Sequence, residues 1–174
     1  MIVSNSSPLI IIGKINELDL LKALYKQITI PNEVYIEVVE IGKEKNEADA
    51  FLIEEAINDG WIKVENLNKK ELENAKELHK RFRLSKGESE AIILAARHKN
   101  CTLILDDLEA REIAKARNMM LSDTLIIQLE ALASGKTGYS DFKKVFEKII
   151  EIMKPKSDKV FKILEEAEKW KKQD

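Results

Sequence analysis

Cysteine and histidine are scarce in this sequence, which has one cysteine and two histidines in 174 residues. The lone Cys101 lies in an apolar run, so we expect a small buried residue rather than a disulfide or a redox site. His79 and His98 have no Cys, His or Asp at zinc-ligand spacing, and neither stands near a plausible nucleophilic serine. We therefore expect neither a zinc site nor a serine-based triad.

Glycine-rich phosphate motifs and long apolar runs are also missing, which argues against a P-loop or a dinucleotide-binding fold. The apolar run from Leu9 to Ile12 is far shorter than the roughly 20 residues that cross a bilayer. The segment Met1–Val3 passes into a polar turn and does not resemble a signal peptide. We expect a soluble, cytoplasmic protein without a membrane partner.

What the chain does contain is a dense mixture of charges. Charged residues make up 34% of it, yet the formal net charge is only −2, so any contact with nucleic acid must be local. Hydrophobic residues at 44% are enough for one compact core without disulfides or a structural metal. We predict a single domain over residues 1–174, with a core to about residue 136 and a C-terminal helical extension at about 139–172.

Short β-branched segments alternate with helical patterns along the chain. We predict strands at residues 1–3, 28–30, 61–64, 102–105 and 119–121. Strands that alternate with helices predict a parallel sheet covered on both faces. Beyond Gly135 and Gly138, two amphipathic helices need a surface on which to pack. The predicted fold is α/β, with three α/β/α layers and added C-terminal helices.

Polar side chains follow three of the predicted strands, at the sheet edge where doubly wound folds place their chemistry. They are Asn5, Ser6, Ser7, Asp106, Asp107, Asp123 and Thr124. One of the paired aspartates, Asp106 or Asp107, can serve simply as a helix cap. A second carboxylate at the same edge as Asp123 adds repulsion, which a hard divalent cation would relieve.

Three glutamates differ in what their positions indicate. Ser85 stands three residues before Glu88 and forms a capping-box pattern with it, so Glu88 is interpreted as structural. Glu90 enters a helix that is apolar nearly all round, and a buried unpaired carboxylate costs several kcal/mol, so we expect it to face an ion or a catalytic pocket. Glu37 belongs to an acidic helical stripe, and its spacing alone is equally consistent with a solvated surface.

Four segments in this order resemble the PIN-like family, and more closely its prokaryotic branch related to VapC-type toxins of toxin–antitoxin pairs. They are Val3–Ile10, Ile30–Val39, Leu84–Ile92 and Leu103–Asp107. The resemblance implies an α/β/α fold whose acidic cluster binds Mg²⁺ or Mn²⁺ and cleaves phosphodiester bonds, mostly in RNA. It implies ligands at Asn5, Glu37, Glu90 and Asp106, with Glu88 and Asp107 as close alternatives. A small antitoxin is the partner that it implies.

The chain departs from the family at Asn5, where relatives carry aspartate. An amide oxygen can bind a cation but cannot supply the negative charge, so we expect weaker metal affinity. Asp123 stands where relatives often have glycine, and we hypothesise that its carboxylate partly replaces that charge.

These observations give a set of expected roles. The expected catalytic residues are Glu37, Glu90, Asp106 and Asp107. The expected metal ligands are Asn5, Glu88, Glu90, Asp106 and Asp123. The expected substrate contacts are Ser6, Ser7, Lys14, Lys86, Arg111 and Thr124. A metal-bound water would attack phosphorus in line.

Two other functions are consistent with the sequence. The first is a catalytically impaired PIN-like module that binds RNA or a protein partner, which Asn5 favours. The second is a phosphoryl-transfer or receiver-like α/β domain, in which paired aspartates at strand ends also hold Mg²⁺, although no lysine stands in a convincing late-strand position. Self-association through the apolar faces of the early helices is a further expectation.

Overall fold

The computed structural model describes residues 1–171 and centres on a five-stranded parallel sheet. The strands are β1 (Ile2–Ser4), β2 (Ile28–Pro31), β3 (Ile62–Glu65), β4 (Thr102–Ile104) and β5 (Met120–Ser122). Their order in the sheet is β3-β2-β1-β4-β5, and all four pairings are parallel. The first strand of the chain is therefore the central one.

Helices cover both faces of this sheet. They are α1 (Ser6–Lys14), α2 (Leu18–Tyr25), α3 (Asn32–Tyr35), α4 (Ile41–Glu44), α5 (Ala48–Asn58), α6 (Lys69–Phe82), α7 (Lys86–Ala96), α8 (Leu108–Lys115), α9 (Thr124–Ala133), α10 (Tyr139–Met153) and α11 (Ser157–Glu168). A π-helical segment, Ile36–Glu40, connects α3 to α4. The predicted α/β/α fold with a parallel sheet is confirmed. Helices α10 and α11 lie within the expected extension, whose expected end at residue 172 lies outside the described residues.

The two faces of the sheet bury separate apolar clusters, because successive side chains of a strand point to opposite faces. On β4, Leu103 packs into one cluster and Ile104 into the other. A third cluster joins α9 to the C-terminal extension formed by α10 and α11. In it the rings of Phe142 and Phe146 are stacked, with their centroids 5.2 Å apart. Burial of a side chain of this size contributes about 2–3 kcal/mol. The extension is thus packed onto the sheet layer that carries α9.

The carboxyl edge of the sheet continues beyond the strands. The backbone N–H of Asn5 donates to the carbonyl of Ile104 at 3.1 Å, and that of Leu105 donates to Ser122 at 3.1 Å. These bonds place the segments that follow β1, β4 and β5 side by side. None of the helices described is long and apolar enough to span a membrane.

Candidate active site

Asn5 lies at the end of the central strand and directly precedes α1. Its side chain is buried, with 3% of the residue exposed. Among residues 1–171 its Oδ1 atom has no hydrogen-bond partner. Buried polar atoms are almost always paired, so this oxygen calls for a donor or a cation. An amide oxygen is a ligand that Mg²⁺ and related hard ions accept.

Glu37 lies in the π-helical segment, and interruptions of this kind occur frequently at functional sites. Its carboxylate accepts hydrogen bonds from the Ser6 hydroxyl and from the backbone of Gly87. A Cβ atom at residue 87 would lie 2.7 and 2.9 Å from the two carboxylate oxygens, so only glycine permits this approach. Burial raises the pKa of Glu37, and the two hydrogen bonds oppose that shift.

Glu90 lies on α7 and its Oε2 atom accepts a hydrogen bond from the backbone of Glu33 at 3.2 Å. Burial raises the pKa of Glu90, and the neighbouring carboxylates of Glu33 and Glu37 add to that rise while Lys86 opposes it. Glu90 also lines a cavity of about 160 Å³. The other residues of its lining are Glu33, Leu72, Ala75, Lys76, His79, Lys86 and Ser89.

Asp106 follows β4 and is held by Thr124, the first residue of α9. Its Oδ1 accepts from the Thr124 backbone at 2.9 Å, and its Oδ2 accepts from the Thr124 hydroxyl at 2.7 Å. Burial raises the pKa of Asp106, Asp123 adds to the rise, and the ammonium of Lys159 opposes it. Thr124 is fully buried, so it positions Asp106 rather than offering a surface to a substrate.

Asn5 stands between two acidic groups. It is the covalent neighbour of Ser6, which contacts Glu37, and its backbone bonds to β4 two residues before Asp106. In the part of the chain that the structure describes, however, no three Asp, Glu, His or Cys side chains converge closely enough to hold a metal ion. The donor types suit a hard cation, but the carboxylates must turn toward it to bind.

Glu88 and Asp107, the two alternative ligands, serve as helix-terminus contacts. Glu88 forms the capping box with Ser85, as the sequence pattern predicted, with bonds of 2.7 and 3.0 Å. Asp107 is exposed and accepts the backbone N–H of Ala110 at 2.8 Å, which caps α8. Both carboxylates therefore have local structural roles.

Asp123 is fully buried, and both its oxygens are engaged inside the protein. Oδ1 caps α9 by accepting two backbone N–H groups, from Leu125 and Ile126, at 3.1 Å each. Oδ2 pairs with Arg111 at 3.1 Å and with Lys159 at 2.7 Å. The contacts thus contradict the idea of a free carboxylate that compensates for Asn5.

Arg111 also differs from its expected role as a phosphate contact at the rim. Its side chain is only 12% exposed, and Nη1 donates to the carbonyls of Leu105 at 2.8 Å and Ser122 at 2.7 Å. It therefore ties the ends of β4 and β5 together. Lys159 was not among the sequence candidates, since no local pattern pairs a residue of the extension with Asp123.

The remaining expected substrate contacts are Lys14, Ser7 and Lys86, of which Lys14 lies farthest from the carboxyl edge of the sheet. Lys14 occupies the last turn of α1, about 12 Å along the helix from Ser6, and pairs with Glu47 at 3.3 Å. It lies away from the edge that was expected to bind substrate. Ser7 is exposed at the start of α1, and Lys86 is a largely exposed lysine 3.8 Å from Glu33.

Comparison with known families adds an independent observation. A family model described as a PIN domain matches residues 1–168. The match includes all of the side chains described above. A search of curated proteins found no match to this chain.

Proposed function

Because the chain belongs to the PIN domain family, a nuclease superfamily, we propose that it is a ribonuclease that hydrolyses RNA phosphodiester bonds with Mg²⁺ or Mn²⁺. The observation that carries the proposal is the buried Oδ1 of Asn5, which lacks a partner within residues 1–171. It lies at the carboxyl edge of the central strand, between the Glu37 group and Asp106. A cation is the ligand that this combination of oxygens suits best.

The residues proposed to hold the ion are Asn5, Glu37, Glu90 and Asp106. A bound divalent ion would lower the pKa of a water and stabilise charge on the leaving oxygen. Glu37 is held in place by Ser6 and Gly87, and its raised pKa suits a group that accepts a proton from water. Asp123 is left out of the ligand set because its oxygens already have partners.

The cavity beside Glu90 supports a nucleotide substrate. Leu72 and Ala75 offer it an apolar wall, and Lys76 and Lys86 supply positive charge near phosphates. Nδ1 of His79 donates a hydrogen bond to the carbonyl of Leu84, which fixes the position of this ring at the cavity. The two lysines are local positive charges on a chain whose net charge is close to zero, and they lie beside the carboxylates of Glu33 and Glu90.

The test is cleavage of a mixed-sequence RNA by the purified full chain, with Mn²⁺ and with EDTA. We expect Mn²⁺-dependent cleavage that Asp106→Asn lowers by at least about 100-fold, which is the scale of loss for a group acting on the reaction. The matched control is Asp107→Asn, which changes the exposed neighbour and keeps a good capping residue. Equal cleavage by the parent and Asp106→Asn would rule out the proposal.

A second candidate is a PIN module that binds RNA or a protein without cleaving it. Asn5 and the lack of a three-acid cluster in residues 1–171 favour it. If the chain binds RNA but does not cleave it at any Mn²⁺ concentration tested, the chain is a binding module of this kind.

The toxin role, with a small antitoxin as partner, and a homodimer stay proposals as well. The exposed Ile41 and Phe51 on α4 and α5 are apolar side chains that a second copy could cover. Light scattering on the purified chain would test the dimer.

A further inference from the structure

The Asp106 side of the site is electrically balanced by the protein itself. Two carboxylates, those of Asp106 and Asp123, lie there with two cations, those of Arg111 and Lys159. Arg111 and Lys159 share the same buried oxygen of Asp123. Arg111 is further fixed by two backbone carbonyls, so it cannot move to another partner without breaking those bonds.

The Glu90 side of the site is not balanced. Glu33, Glu37 and Glu90 influence one another electrostatically. Lys86 is a cation beside them, and the exposed Lys76 lines the same cavity. The Lys86 side chain is 69% exposed and lies 3.8 Å from Glu33, so solvent screens most of its effect. A divalent cation would offset the remaining negative charge on this side.

Lys159 is held in position by a helix that packs onto the rest of the domain. It lies near the start of α11, whose Ile163 and Ala167 are buried in the cluster that contains Leu125 of α9. Its Nζ is 2.7 Å from Asp123 and close enough to affect the ionisation of Asp106. The ammonium is therefore held against the edge by packing as well as by charge.

We propose that Lys159 takes the place of a second divalent cation beside Asp106, so that a single ion binds among Asn5, Glu37, Glu90 and Asp106. The inference deepens the proposed function and rests on it. Two-metal nucleases use two ions about 3.5–4 Å apart to stabilise the attacking and leaving oxygens. Here a lysine from the C-terminal extension supplies positive charge on one of those sides.

The experiment is calorimetric titration of the full chain with Mn²⁺. We expect one ion for the parent protein. Lys159→Met removes the ammonium and should either add a second ion or raise Mn²⁺ affinity by at least about tenfold, since a positive charge no longer opposes the ion. The matched control is Lys162→Met on the same helix, where the lysine is exposed and should leave binding unchanged.

Two further variants separate charge from folding. Lys159→Arg keeps the positive charge and should bind like the parent, while thermal melts report whether each variant folds. The double variant Asp123→Asn/Lys159→Met removes one charge of each sign and should return to one ion. A second ion in this double variant would contradict the proposal.

The outcomes distinguish the inference from the proposed function. If Lys159→Met matches the parent in stoichiometry and affinity, the inference is wrong even when the parent cleaves RNA with Mn²⁺. If the parent binds no Mn²⁺ and Lys159→Met does, Lys159 does oppose an ion, but the single-ion site of the parent and its metal-dependent cleavage are both ruled out.

Discussion

The hydroxyl of Ser6 donates a hydrogen bond to the carboxylate of Glu37. This bond joins the residue after Asn5 to the π-helical segment that follows β2, 31 positions along the chain. The backbone of Gly87, on α7, donates a second hydrogen bond to the same carboxylate. Glu37 is therefore oriented by two separate segments, and its position is sensitive to small changes in either.

Gly87→Ala should reduce cleavage by at least about tenfold with little loss of stability. The new Cβ would lie under 3 Å from both Glu37 oxygens, so the carboxylate must move. Only the flexible end of a side chain is displaced, and alanine gains about 0.5–1 kcal/mol over glycine within a helix. Urea unfolding and cleavage rates measure the two effects. Adding Glu37→Asp shortens the side chain and should restore part of the rate, whereas full activity in the single variant would contradict this role of Glu37.

Asn5→Asp should raise Mn²⁺ affinity by at least about tenfold, because a carboxylate replaces a neutral amide at the buried ligand position. Without metal the same variant should melt at a lower temperature than the parent, since a buried carboxylate would lack a cation. Ser7→Asp is the control, because it adds the same charge at an exposed position two residues away. Calorimetry and thermal melts check both effects, and equal gains from the two variants would show that only overall charge matters.

Asp106→Asn should make the protein more stable at pH 7.5 while removing activity. Burial raises the pKa of Asp106 above its usual 3.8, so the folded protein holds this proton more tightly than the unfolded chain. Stability therefore falls as the pH rises from about 3.8 through the raised pKa, and the loss is complete above it. We expect a melting temperature about 2–4 °C higher at pH 7.5, which is about 1 kcal/mol for a domain of this size.

Near pH 4 the gain from Asp106→Asn should be smaller than at pH 7.5, because burial raises the pKa of this carboxyl group and more of it is then protonated in the folded protein than in the unfolded chain. Asp107→Asn should give no gain at either pH, since its side chain is exposed. Thermal melts in EDTA measure these differences. A lower melting temperature for Asp106→Asn at pH 7.5 would mean that its bonds to Thr124 outweigh the cost of burial.

Arg111→Met should destabilise the fold by about 3–5 kcal/mol, because it removes a partner of the buried Asp123 and two bonds to strand-end carbonyls. Arg117→Met is the control, since that arginine is exposed and donates to the carbonyl of Ile113 within its own helical turn. Urea unfolding should show a change within about 0.5 kcal/mol for the control. Similar losses in both variants would contradict a special role for Arg111.

Lys76→Ala/Lys86→Ala should weaken the salt dependence of RNA binding. Two lost phosphate contacts make the slope of log K against log salt less negative by about 1.4, at about 0.7 per contact for a single strand. Fluorescence anisotropy of a labelled oligonucleotide in an Asp106→Asn background measures the slope. The control pair Lys14→Ala/Lys22→Ala lies on α1 and α2 and should leave it unchanged. An unchanged slope in the first pair would place the RNA elsewhere.

The sequence was sufficient for the parallel sheet and for the Glu88 capping box because both depend on short-range patterns. Alternating strands and helices predict the first, and Ser85 three residues before Glu88 predicts the second. Asp107 likewise occupies the cap position that the paired aspartates offered as one interpretation. The assignment of the metal ligands stays a prediction.

Other features of the site depend on distant contacts that spacing does not encode. The π-helical segment at Glu37 lies within a stretch whose apolar spacing at Val34, Val38 and Ile41 predicts an ordinary helix. The partners of Arg111 and Asp123 come from strand ends and from α11, 36 residues after Asp123. Arg111 and Lys14 were expected at the rim because both are basic, and only packing distinguishes a structural arginine from a phosphate contact.

The central place of β1 has a consequence for the newly made protein. Val3 pairs with Leu103, so the first strand has no neighbour on one side until residues 102–104 have been synthesised. A growing polypeptide that ends before β4 cannot bring Asn5 beside Asp106. Asn5 and Asp106 can therefore come together only after β4 and Asp106 have been synthesised, and N-terminal fragments released before that point would lack this arrangement.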